Sequence, residues 1–115
     1  MPNINGVDFD KVTQDALAAA KQVLNDDNVW GNLKDIVKNI SDGLVADVEF
    51  IVKKKASGEF NETDAKIYLE DQKTIARVRI RSVAIITLQI GERVLNAISE
   101  VFNKAINTAL GWSLL

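Results

Sequence analysis

The sequence predicts an all-α fold, either an antiparallel helical hairpin or a four-helix up-and-down bundle of three to four long helices. Three observations carry this. The only proline is Pro2, and six glycines are spread over 115 residues, so long uninterrupted helices are permitted. Apolar residues recur at i, i+3, i+4 spacing along most of the chain. Capping residues stand where those stripes begin and end. With 47% hydrophobic and 26% charged residues, the composition is that of one globular domain covering residues 1–115.

Residues 1–7 read as a polar, turn-like lead-in. A first helix is expected from about Asp8 to Asn25, with Asp8 as N-cap and Asp10 in the first turn at the positive dipole end. Its stripe is Phe9, Val12, Ala16, Leu17, Ala20, Val23 and Leu24, and Asp26-Asp27-Asn28 ends it. A second helix is expected from about Leu33 to Ala56, capped by Asn32, with a stripe running from Leu33 and Ile36 to Ile51 and Val52. Lys53-Lys54-Lys55 then offset the negative dipole end, and Gly58 supplies the left-handed residue beyond it.

The third element starts at Asn61, an N-cap followed by Glu62 and Asp64, with Phe60 placed to staple onto Ala65. From Glu62 to Leu110 the only interruption is Gly91. Taken literally this is one helix of 49 residues, about 73 Å long. Folding the chain about Gly58–Glu59 sets Gly31 opposite Ile86 and Gly91 opposite Asp26, so both arms weaken at one level. An extended hairpin covered by a second chain satisfies this, as does a bundle bent at that level, with the right arm broken at Gly91. A strand over residues 77–90 is the local rival, because Arg77-Val-Arg-Ile-Arg81 alternates and Val83, Ile85, Ile86 and Ile90 are β-branched. No turn residue separates Thr63 from Gln89, and length decides for the helix. The chain closes on an apolar tail, residues 111–115.

The counts also bound function. His and Cys are both absent, which removes imidazole and thiolate metal sites, Cys–His and Ser–His–Asp nucleophiles, and disulfides. Glu92 and Glu100 share a face and read as solvated carboxylates. No phosphate-binding glycine loop, zinc-protease or calcium-loop pattern occurs. No catalytic residue, cofactor or metal is therefore expected. A net charge of −2 argues against nucleic acid as a partner. The row Lys73, Arg77, Arg81 is expected to pair with Asp35 and Asp42 of the antiparallel neighbour. The lysine run reads as helix capping. No signal-peptide pattern opens the chain, no apolar run reaches the roughly 20 residues of a membrane span, and the expected location is cytoplasmic.

Val83–Ile90 is apolar nearly all round a helix, and such a helix is buried on all sides. A second copy is the economical cover. The expected interface is Val83, Ile86, Ile90, Val94, Ile98, Phe102 and Trp112. The function these features favour is a non-catalytic helical scaffold or adaptor acting as a homo-oligomer, a dimer foremost, or on a protein partner. A membrane-active helical protein and a carrier of an apolar ligand in the bundle core are the alternatives.

Overall fold

The computed structural model describes residues 3–83 and 87–112. Two short strands, β1 (Asn3–Ile4) and β2 (Val7–Asp8), precede four helices: α1 (Phe9–Leu24), α2 (Asp27–Ala56), α3 (Glu62–Arg81) and α4 (Leu88–Leu110). The fold is an all-α bundle, and of the two geometries open to the sequence the bundle is the one formed. Asn5 reaches Ala109, Phe9 stacks on Phe102 and Lys55 reaches Leu110. The start of α1 and the ends of α2 and α4 therefore share one end, and the helices run up, down, up, down. α2 packs against the other three helices. Its 30 residues make a rod of about 45 Å, matching the 45 Å long axis of the molecule.

Local chemistry explains most boundaries. Asp8 caps α1 by accepting from the amides of Asp10 and Lys11. Asn25 ends α1 in the left-handed region at φ 48°, its N–H donating to the Lys21 carbonyl, a conformation asparagine tolerates. Asn61 and Asp64 form a reciprocal capping box on α3. Gly58, at φ 77°, turns the chain after α2.

Four expectations are corrected. First, α2 begins at Asp27, not Leu33, because Asp26 is the cap and accepts from Asn28 and Val29. Asn32 instead donates its side-chain amide to the Asn28 carbonyl. Gly31 lies inside the helix, a cost of about 1 kcal/mol outweighed by the buried Leu33 and Val37 that follow it. Second, the right arm does not break at Gly91, which is buried within α4. α3 stops at Arg81, where the Ser82 hydroxyl donates to the Arg79 carbonyl at 2.6 Å, and α4 restarts behind the Thr87 cap. The Thr87 hydroxyl accepts from the Ile90 amide and so opens α4. Arg77–Arg81 is helical, as expected. Third, the apolar run before Gly91 is not enclosed at every position. Of the expected all-round buried run, Leu88 is 61% exposed, while Ile85 and Ile86 lie outside the described residues. Fourth, the lead-in is a β-hairpin. Ile4 pairs with Val7 around Asn5-Gly6, both at positive φ (49° and 87°). Asn-Gly is the pair that a two-residue type I′ turn demands.

The hairpin has a structural task. α1 is only 16 residues long, too short to flank α4 along its whole length. Extended chain covers more distance per residue than helix, and the hairpin carries α1's path on to the end of α4. Ile4 joins the core there. The core is otherwise aliphatic, centred on α4 residues Val94, Leu95, Ile98, Phe102 and Ile106. Phe9 and Phe102 stack within it, their ring centroids 6.4 Å apart.

Candidate functional site

Of the seven residues expected at an interface, three lie in the chain's own core. Val94 and Ile98 are fully buried and Phe102 is 1% exposed, covered by helices of the same molecule. Val83, Ile90 and Trp112 are half-buried against that core, and Ile86 lies outside the described residues. Trp112 carries the Lys55 ammonium 4.4 Å above its ring. The same ammonium donates to the Leu110 carbonyl. The lysine run thus caps not only its own helix but the end of α4.

The basic row also finds other partners. Arg77 grips Glu92 of α4 through Nε, at 2.9 and 3.1 Å. Asp42 is held by Lys38 in its own helix at 3.0 Å. Arg79 donates to Asn39 across the α2–α3 seam at 3.0 Å. Lower on that seam, the Tyr68 hydroxyl donates to Asp47 at 3.1 Å, and the rings of Phe50, Phe60 and Tyr68 cluster around it. Burial raises the Asp47 carboxyl above its ordinary value, against the lowering pull of the Tyr68 hydrogen bond and of Arg79. Tyr68 is also raised, first by burial and then by the Asp47 charge. Among the described residues no cluster of three or more carboxylates is placed to hold a metal, and no helix is long and apolar enough to cross a membrane.

What sequence reasoning missed is the outer face of α3. Its core face is Ala65, Leu69, Ala76 and Ile80. Opposite this run Ile67, Ile75 and Val78, exposed by 55, 45 and 64%. Their spacing, i, i+8, i+11, puts them on one stripe, divided at its centre by Asp71 and Thr74, also exposed. The helix is polarised along its length. Residues 62–71 hold four acids and one lysine, whereas residues 72–81 hold Lys73, Arg77, Arg79 and Arg81 and no acid. A second apolar spacing was present in the sequence, but only the fold shows which stripe faces out.

α3 also borders a cleft of about 140 Å³ between itself and α4. Ile40 and Leu44 of α2 floor it, Leu69 and Ala76 line one wall, and Ile98 and Phe102 line the other.

No family model matches the chain, and no curated protein or solved structure matches it either.

Proposed function

We propose that this protein is a non-catalytic interaction module that pairs with a second copy of itself through the outer face of α3, presenting two bundles as a scaffold. The observation that carries this is the coincidence, on one helix, of an exposed apolar stripe with an acidic first half and a basic second half. Two such helices laid antiparallel cover each other's stripe and set acid against base. A parallel arrangement sets like against like, which is unfavourable. Antiparallel pairing about a two-fold axis is the self-complementary geometry of a closed dimer. Centred on the stripe, it puts Ile67 of one copy opposite Val78 of the other.

Magnitude sets the class of contact. Covering Ile67, Ile75 and Val78 on both copies removes from water the equivalent of about three aliphatic side chains, worth roughly 5–10 kcal/mol. Association costs about 4–15 kcal/mol in lost freedom. The pairing is thus reversible and concentration-dependent, and it weakens in salt because its charges lie at the rim.

Since the chain lacks cysteine, directed cross-linking tests the geometry. Ile67→Cys and Val78→Cys are each made singly. The antiparallel dimer cross-links when the two variants are mixed and oxidised, and poorly when either is oxidised alone. Cross-linking of each variant with itself, or a mass in light scattering that stays monomeric at every concentration, refutes the proposal.

A further inference from the structure

Asn5 is the only asparagine of the chain that is followed by glycine. The pair is reactive because glycine has no side chain to shield the amide nitrogen next to the asparagine carboxamide. Both residues are exposed, and a methyl group added to Gly6 would meet nothing within 4 Å. Among the described residues no carbonyl accepts the Gly6 N–H. The Asn5 carboxamide, by contrast, is in use. Its Nδ2 donates to the Ala109 carbonyl at 2.7 Å and joins the opening hairpin to the last turn of α4. Nδ2 is also the atom that cyclisation onto Gly6 expels.

We propose that Asn5 is a self-modification site, and that its conversion to a carboxylate unfastens the end of α4. The step needs only hydroxide and water. The Gly6 nitrogen gives its proton to hydroxide and attacks Asn5 Cγ. The new N–Cγ bond forms, the Cγ–Nδ2 bond breaks, and Nδ2 takes a proton from water and leaves as ammonia. Water then opens the cyclic imide. Opening at Cγ leaves aspartate, and opening at the main-chain carbonyl leaves isoaspartate. Either way one amide and one water become one carboxylic acid and one ammonia. The resulting carboxylate has no N–H to offer, so it meets the Ala109 carbonyl as acceptor against acceptor. It also sets a negative charge at the negative end of the α4 dipole. The bond to Ala109 restrains the reaction, because the carboxamide must leave it before Gly6 can attack. Conversion is therefore slower in the folded protein than in the unfolded chain. At every other asparagine the next residue carries a side chain, so Asn5 still converts first. The hydrolysis runs one way, which makes the site a timer on the clasp between hairpin and α4. Neither residue belongs to α3, so this site and the self-pairing face succeed or fail independently.

The test is a timed incubation of the intact protein in mildly alkaline buffer, beside the same protein unfolded in guanidinium chloride. Peptide mapping by mass spectrometry follows each asparagine, and amide hydrogen exchange follows α4. The expected order is Asn5 of the unfolded chain first, Asn5 of the folded protein next, and every other asparagine of the folded protein later. In converted protein, and in Asn5→Asp, the amides of Leu110 and Gly111 should exchange faster by about tenfold or more, as a lost hydrogen bond and a carboxylate beside a carbonyl dictate, with helix content retained. If Asn5→Asp fails to fold, the converted parent supplies the same measurement. Another asparagine of the folded protein converting ahead of Asn5 overturns the proposal. So does the absence of conversion at Asn5 of the folded protein over several half-lives of the unfolded chain, or converted protein whose α4 end exchanges as slowly as before.

Discussion

Val94→Asp and Val78→Asp make the same chemical change at positions that differ in burial, and they separate a core role from a surface role. Val94 is 0% exposed and Val78 is 64% exposed. At position 94 the substitution removes a fully buried valine, about 1.5–3 kcal/mol. It also buries a carboxylate within the hydrophobic core, a further penalty of several kcal/mol. The total of about 5 kcal/mol or more consumes much of the roughly 5–15 kcal/mol that holds a domain of this kind together. At position 78 the side chain already faces water, and the expected change in stability is within about 0.5 kcal/mol. Urea titration followed by circular dichroism reports the fold, and light scattering over a wide concentration range reports association. Val94→Asp should be largely unfolded at every concentration. Val78→Asp should keep the parent's midpoint and slope in urea but lose the concentration-dependent rise in mass. A stably folded Val94→Asp would refute the placement of Val94 in the core. A Val78→Asp protein that unfolds, or that associates like the parent, would refute the assignment of the α3 stripe as a docking face.

Asp47 gives a pH-dependent prediction. Its folded pKa lies above its unfolded one, so its stabilising contribution is present in acid and is lost as pH rises through the raised value. Asp47→Asn, which keeps an acceptor for Tyr68, should be at least as stable as the parent at pH 7, with the difference closing as pH falls through the carboxylate range; urea midpoints at both ends check this. Gly31→Ala and Gly43→Ala should each stabilise by about 0.5–1 kcal/mol, because an added methyl at either helical position meets nothing within 4 Å; thermal melts would read a loss of stability as contrary. Gly6→Ala should destabilise by about 1–2 kcal/mol, since the turn holds that residue at φ 87°, and an unchanged melt would place the hairpin outside the cooperative unit.

Features set by short-range chemistry were legible in the chain. The Asp8 cap, the Asn61–Asp64 start of α3 and the Gly58 stop all rest on groups within a few residues of one another, and each stands where the sequence put it. The Asn5-Gly6 turn belongs to the same class, within a lead-in whose turn-like composition is legible, but its two-residue strands carry almost no periodic signal. The break between α3 and α4 was less visible. Glycine weakens a helix on propensity alone, but Gly91 fits inside α4, whereas the Ser82 hydroxyl bonds back at the end of α3 and the Thr87 hydroxyl caps the start of α4. Pairing across helices was beyond the sequence. Arg77 could reach Asp35 or Asp42 on α2 or Glu92 on α4, and only the rotation of α3 about its axis chose Glu92. The same rotation decided that Leu69 and Ala76 point inward while Ile67 and Val78 point out. Hydrophobicity states that a residue seeks cover without saying whose.

The closing turn of α4 depends on donors far along the chain, Asn5 at a separation of 104 residues and Lys55 at 55. A nascent α4 closes its Asn107 carbonyl locally, through the Gly111 N–H, but not those of Ala109 and Leu110. Its terminal carbonyls stay hydrated until the opening residues of the chain and the middle helix have both arrived, which makes that turn a latecomer in assembly, since distant contacts are slow to close. It also makes fraying there a collective event: to loosen the last turn is to release two remote segments at once, so the end of α4 should open with the whole rather than ahead of it.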